Sequence, residues 1–181
     1  FRDFFIALGY KGELIKEYFL NYKTNDSNFS INLNSGEISI LESSKVDWNV
    51  SLIDTGLKTL TGGRLKKLKK YIGNETFMLT YGDGVADINI PDLLKFHKHH
   101  GKMITLTAVR PNARFGELEI IDNKVVSFEE KPQLHNGWIN GGFFVIEPKF
   151  FELIDSEDVM LERSPLANAV KLGELMCYKH N

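Results

Sequence analysis

At 181 residues, 43% hydrophobic and 25% charged, the chain suits one globular domain with a sizeable core. A net charge of −2 gives no electrostatic reason to expect a nucleic-acid partner or an anionic membrane surface. Cys177 is the one cysteine, which excludes an internal disulfide, and no apolar run is long enough to span a bilayer, so a cytoplasmic location is expected.

Phe4 to Leu8 reads as a buried strand and Gly9-Tyr10-Lys11-Gly12 as a turn. Leu14, Ile15, Tyr18, Phe19 and Tyr22 then recur at helical spacing, the opening of a βαβ unit. From Ser27 the period drops to two. Phe29–Leu33 and Glu37–Leu41 flank Asn34-Ser35-Gly36 and predict a β-hairpin added to the domain over 27–43. Its alternation leaves it half exposed, as a flap or a subunit contact. Trp48–Asp54 predicts another strand. After Thr59-Leu60-Thr61-Gly62-Gly63-Arg64 comes an amphipathic helix, with Leu65, Leu68 and Ile72 on one face. Lys66, Lys67, Lys69 and Lys70 cover the rest and read as a solvated face.

Phe77-Met78-Leu79-Thr80-Tyr81-Gly82-Asp83-Gly84 is the stretch to which the other elements are referred. An unalternated run of strand length predicts a strand buried on both faces of a mostly parallel sheet. Ligands of open α/β sheets sit beyond the carboxyl ends of the strands, where Asp83 falls. Pro91 opens the next helix, with Leu93, Leu94 and His97 inward. His97, His99 and His100 lack a Cys, Asp or Glu partner at ligand spacing, which weighs against a metal site there. Met103–Val109 predicts a strand. Glu117–Ile121 and Lys124–Glu130 predict a hairpin turned at Asp122-Asn123 and stopped by Lys131-Pro132. Phe143–Ile146 follows Asn140-Gly141-Gly142 as a strand. Ser164 is expected to cap a last helix that places Leu166, Ala169 and Val170 inward and stops at Gly173. Leu175–Asn181 reads as a final strand. The expectation is one α/β domain over 1–181, a mixed and mostly parallel sheet flanked by helices with small hairpin additions, and both ends read as cut.

Four groups can carry chemistry. Thr61-Gly62-Gly63-Arg64 at a helix start offers free N–H groups and a dipole to an anion or a polar ring edge, or is a plain glycine turn. It lacks the Gly-Lys-Ser/Thr ending of a P-loop, and no Gly-x-Gly-x-x-Gly follows a strand, which counts against a nicotinamide cofactor. Asp83 suits Mg²⁺, an ion that takes one or two carboxylates plus phosphate oxygens, or is a turn former. Glu130 and Lys131 suit a sugar phosphate, or form an exposed ion-paired strand end. Asn140 beside Gly141 offers donors and acceptors to sugar hydroxyls, or marks an ordinary turn.

These groups belong to a longer pattern. Gly9-Tyr10-Lys11-Gly12, Trp48-Asn49-Val50, Asp54-Thr55-Gly56, Thr61-Gly62-Gly63-Arg64-Leu65-Lys66, Thr80-Tyr81-Gly82-Asp83-Gly84-Val85-Ala86-Asp87, Arg114-Phe115-Gly116, Glu130-Lys131-Pro132 and Ile139-Asn140-Gly141-Gly142-Phe143 together resemble the sugar-nucleotide pyrophosphorylases, or nucleotidyltransferases. The resemblance runs nearly end to end. Relatives using uridine or thymidine nucleotides usually carry a Gln-x-x-Pro-x-Gly-like segment where this chain has Thr61-Gly62-Gly63-Arg64, so it looks like the cytidylyl branch.

The resemblance implies a Rossmann-like, GT-A-like fold and Mg²⁺-dependent joining of CTP and α-D-glucose 1-phosphate into CDP-glucose and pyrophosphate. It implies that Asp83 is the catalytic metal ligand, with Thr59, Thr61, Arg64 and the Gly82 backbone holding the nucleotide. Lys131 would bind the sugar's phosphate, and Glu130, Asn140 and Gly141 the sugar. A homo-oligomer is expected, supplying dideoxyhexose for lipopolysaccharide O-antigen. The family's glycine-rich loop with its catalytic lysine would precede Phe1 and its second metal aspartate would follow Asn181, so this stretch alone is expected to be inactive. The alternatives are a thymidylyl- or uridylyltransferase, or a non-catalytic nucleotide-sugar-binding or assembly fragment.

Overall fold

The N-terminal apolar run forms β1 (Asp3–Leu8), in a computed structural model that describes residues 1–43, 45–111, 117–121, 123–129 and 137–180. The chain divides into two compact units, residues 1–71 with 156–161, and residues 72–155 with 162–181. In the first, α1 (Gly12–Leu20) follows β1 after a turn closed by Gly12 N–H donating to Gly9 O at 3.0 Å. The helical pattern predicted through Tyr22 is interrupted at Asn21, whose Nδ2 and backbone N–H both donate to Glu17 O, and α2 (Tyr22–Asn25) is a separate turn. A side-chain donor competing for a helical carbonyl is a common way for a helix to end.

The expected hairpin forms as β2 (Ser27–Ile31) and β3 (Ile38–Ser43), with Phe29 opposite Ile40 and Ile31 opposite Ile38. Asn32 builds its turn: Oδ1 accepts from the N–H groups of Asn34 and Ser35, and the main-chain oxygen accepts from Gly36. β4 (Asn49–Asp54) pairs in parallel with β1, Phe4 beside Val50 and Leu8 beside Asp54. The parallel pairing is possible because residues 9–48 supply the long crossover it needs. α3 (Thr61–Ile72) buries Leu65 and Leu68 as predicted, together with Gly62 and Gly63. Lys67 departs from the expected solvated face. Its Nζ pairs with Glu157 at 2.8 Å and donates to Thr55 O at 3.0 Å.

The second unit opens with β5 (Phe77–Thr80), then α4 (Ile90–His100), capped by Asn89 Oδ1 accepting from Asp92 N–H at 3.2 Å and ended by Gly101 at φ 62°. β6 (Ile104–Val109) precedes the hairpin β7 (Glu117–Ile121) and β8 (Lys124–Glu129), turned at Asn123 with φ 64°. β9 (Ile139–Ile146), a 3₁₀ turn (Pro148–Leu153), α5 (Ser164–Lys171) and β10 (Leu175–Lys179) complete it. The sheet order is β10-β6-β9-β5. β10 lies parallel to β6, while β9 runs antiparallel to both β6 and β5. Three strands therefore share a direction and one opposes them, the mixed α/β sheet that was expected.

Phe144, Val145, Ile146, Ile104 and Leu93 are fully buried at the centre of this unit. β5 is different from its prediction: among the described residues it is the edge strand of this sheet, and Phe77, Met78 and Leu79 are half-buried. In α5, Ser164 is the first helical residue and Arg163 stands at the cap without a side-chain bond, while Val170 is exposed. His97 is buried, with Nδ1 2.8 Å from Thr105 Oγ1 and Nε2 3.0 Å from Glu147 Oε1. His100 Nε2 is 2.7 Å from the same threonine hydroxyl, and Lys102 N–H donates to His100 Nδ1 at 2.9 Å.

Candidate functional site

In the first unit Arg64 and Thr59, two of the residues expected to hold the nucleotide, gather around the end of β1 and Thr55. Leu8 O accepts from Thr55 N–H at 2.9 Å, from Thr55 Oγ1 at 2.7 Å and from Arg64 Nη1 at 2.9 Å. Arg64 also donates to Thr55 Oγ1 at 2.6 Å and to Leu57 O at 3.4 Å. The guanidinium lies so close to the turn that a Cβ on Gly9 would sit 2.5 Å from Nη2. Thr59 Oγ1 donates to Thr55 O at 2.6 Å, so Thr59 and Arg64 meet on one residue. Thr61 points to a different partner: its Oγ1 accepts from Leu161 N–H at 2.8 Å.

The helix start that was read as open to an anion meets its own chain. Gly62 N–H donates to Val159 O at 3.0 Å. A Cβ on Gly62 would lie 2.8 Å from Val159 O, and one on Gly63 would lie 2.0 Å from Glu157 O. The two glycines are thus required for residues 157–161 to cross the first turn of α3.

In the second unit the carboxyl ends of β5 and β6 form one rim of the sheet. Because β9 is antiparallel to both, its beginning lies at that rim, with Asn140 opposite Ala108 and Phe143 opposite Thr80. Topology alone therefore brings Asn140 and Gly141 to the edge from which Tyr81, Gly82 and Asp83 leave. Asp83 is exposed and its carboxylate makes no hydrogen bond or ion pair among the described residues. A Cβ on Gly82 would meet nothing within 4 Å. Gly141 is bare for a different reason: a Cβ there would lie 2.9 Å from both Thr107 Oγ1 and Val109 Cγ1 of β6. Gly142 has φ 80°, and a Cβ would come 3.0 Å from the Tyr81 ring. The predicted sugar ligands Glu130 and Lys131 lie outside the described residues.

Tyr81 ties the rim together. Its hydroxyl donates to Glu162 Oε1 at 2.5 Å and accepts from Asn140 Nδ2 at 3.5 Å, while Gly142 N–H donates to Asn140 Oδ1 at 2.9 Å. Burial, then the hydrogen bond to Glu162 and its charge, push the phenol's pKa well above its ordinary value, against a smaller lowering by Asn140. The rim also carries positive charge. Arg110 Cζ lies 4.9 Å and Lys179 Nζ 5.3 Å from the ring centroid of Trp138, the distance range of cation–π attraction.

The nucleotidyl transferase family model matches residues 23–172. The chain belongs to this family. The nucleotidyltransferase is 45% identical over 180 residues to the glucose-1-phosphate cytidylyltransferase of Salmonella typhimurium, covering 99% of this chain and 70% of that protein. It is 42% identical over 179 residues to a probable glucose-1-phosphate cytidylyltransferase of Bacillus subtilis, covering 98% of this chain and 70% of the relative. A D-glycero-alpha-D-manno-heptose 1-phosphate guanylyltransferase of Campylobacter jejuni is 29% identical over 152 residues, 83% of this chain and 57% of that protein. Among solved structures, HddC from Yersinia pseudotuberculosis superposes with a TM-score of 0.67 at 19% identity, over 98% of this chain and 69% of that one, a likeness of fold.

Sequence reading left several rim residues of this nucleotidyltransferase without a role. Tyr81 stood inside a quoted motif, and its hydroxyl partner Glu162 was not singled out. Glu162 lies two residues before Ser164, the expected cap of the last helix, yet nothing local marks it as the partner of a residue 81 positions earlier. Arg110 and Trp138 flank a predicted hairpin, so a cation after a strand and an aromatic before the next one were the available signal.

Proposed function

We propose that this nucleotidyltransferase condenses CTP with α-D-glucose 1-phosphate to give CDP-glucose and pyrophosphate. The observation that carries the reading is the 45% identity to a glucose-1-phosphate cytidylyltransferase over 99% of the chain. A phosphate oxygen of the sugar 1-phosphate forms a bond to the α-phosphorus, the bond from that phosphorus to the β-phosphate oxygen breaks, and pyrophosphate leaves. Such a displacement needs in-line positioning and charge neutralisation rather than covalent participation of the protein.

Asp83 is the proposed metal ligand. An exposed carboxylate beside an unobstructed glycine fits a hard divalent cation such as Mg²⁺, which keeps part of its shell for phosphate oxygens. When bound, that ion neutralises charge on the phosphate oxygens. Thr59, Thr61 and Arg64 and the Gly82 backbone serve the nucleotide in this reading, Lys131 the sugar's phosphate, and Glu130, Asn140 and Gly141 the hexose. The cations held on Trp138 favour anionic substrates at the same rim.

Pyrophosphate release from glucose 1-phosphate with CTP, UTP, dTTP or GTP tests the base. CTP should be preferred at least about tenfold, the discrimination that a difference of one hydrogen bond supplies, and an equal or better rate with another nucleotide would overturn the assignment. We further infer a cytoplasmic homo-oligomer. No described helix is long and apolar enough to cross a membrane, and Phe29, Ile31, Ile38 and Ile40 form one exposed apolar face of the β2–β3 hairpin. A monomer in sedimentation at working concentration would refute the oligomer.

A further inference from the structure

The hydrogen bonds around Tyr81 have a direction that follows from the chemistry of the groups. A carboxylate only accepts, so the Tyr81 O–H donates to Glu162 Oε1 at 2.5 Å. A phenol has one hydrogen. With that hydrogen directed at Glu162, the oxygen can only accept from its other neighbour, and Asn140 meets it with Nδ2, at 3.5 Å. The far end of the amide agrees, because Gly142 N–H donates to Asn140 Oδ1 at 2.9 Å. Turned over, the amide would set its NH₂ against an N–H and its oxygen against an oxygen with no proton to give. The ring cannot easily evade this arrangement. It stands edge-on to buried Phe144 with centroids 5.9 Å apart, and Gly142 lies beneath it where a Cβ would be 3.0 Å away.

Asn140 is itself exposed, and its second Nδ2 hydrogen has no partner among the described residues. The amide thus offers solvent a donor of fixed orientation, while one of the two lone pairs on its oxygen is taken by Gly142 N–H. We propose that Glu162 is a positioning residue that acts through Tyr81 to hold Asn140 as a hydrogen-bond donor to a hydroxyl oxygen of the hexose 1-phosphate. The ligand half of this inference rests on the proposed function; the positioning half does not. Burial and Glu162 raise the phenol's pKa, so the proton that sets the direction stays on Tyr81 at neutral pH.

The test uses the intact protein and the variants E162A, E162Q, Y81F, N140A and E162A/N140A. The Asn140 side-chain amide pair, recognised by its loss in N140A, should shift in the ¹H–¹⁵N spectrum of E162A without substrate. It should return in E162Q, whose amide oxygen still accepts from Tyr81. Y81F keeps the ring and removes the hydroxyl, so it should shift the same pair even if E162A fails to fold. E162A should raise the KM for glucose 1-phosphate about fivefold, the worth of one oriented hydrogen bond, with the KM for CTP changed less than about twofold. Adding E162A to N140A should cost nothing further, since the two act through one group. An amide pair unmoved in both E162A and Y81F, or an E162A penalty that persists in full on top of N140A, overturns the positioning role. If the pair responds while N140A leaves the sugar-phosphate KM unchanged, Asn140 loses its hexose role and the positioning by Glu162 stands.

Discussion

Replacing Gly63 with Ala separates two explanations for the Thr61–Arg64 motif. The added Cβ would lie 2.0 Å from Glu157 O, well inside van der Waals contact, and the obstacle is backbone rather than a side chain that can rotate away. Residues 157–161 would have to lift off α3. Doing so strains or breaks the Gly62 N–H to Val159 O bond, the Leu161 N–H to Thr61 Oγ1 bond and the Lys67–Glu157 ion pair. With a net 0.5–1.5 kcal/mol for each hydrogen bond, little from the partly exposed ion pair, and a packing penalty besides, the cost is about 3 kcal/mol. For a domain of this size that lowers Tm by roughly 6–12 °C. Thermal unfolding followed by circular dichroism measures it, with Gly82→Ala as the control. Nothing lies within 4 Å of a Cβ at Gly82, so its Tm should move by less than about 2 °C. A G63A protein as stable as wild type, with nucleotide binding weakened, would refute the packing argument and restore the glycines to a ligand-approach role.

Asp83→Ala should reduce CDP-glucose formation at least about a hundredfold, the scale on which losing one group that stabilises transition-state charge is felt. Its Tm should be unchanged, because the carboxylate has no partner among the described residues; ordinary turnover in a pyrophosphate-release assay would remove its metal role. Burial, then the charges of His97, His99 and Lys102, lower the pKa of His100, with Glu174 opposing. The unfolded chain therefore takes up this proton at a higher pH than the folded one, and stability falls as pH drops through the ordinary histidine range towards the lower folded value. Between about pH 7 and 5, where histidines titrate, H100N should show a shallower decline in Tm than wild type; parallel curves would exclude His100 as the source.

The elements were legible where periodicity and punctuation coincide. The β2–β3 hairpin follows from alternation around Asn34-Ser35-Gly36, and α4 follows from Pro91 and the inward set Leu93, Leu94 and His97. Asp83 was singled out because a carboxylate between glycines after an apolar run is a local pattern. The direction of β9 was not legible, since a run of apolar residues reads the same along either sense of a strand. Nor was the need for Gly62 and Gly63, which depends on a segment about 100 residues away in sequence. Lys67 looked solvated because a helical wheel shows only the helix; what draws it in is Glu157 and the Thr55 carbonyl. Glu162 was missed for the same reason.

The reversal of β9 bears on where this chain can accept change. Residues 110–138 depart from the end of β6 and come back beside it, to a strand that β5 and β6 clamp from either side. That excursion begins and ends at a single border of the sheet. Its length and composition can therefore be rewritten without asking β5, β6 or β9 to slip in register.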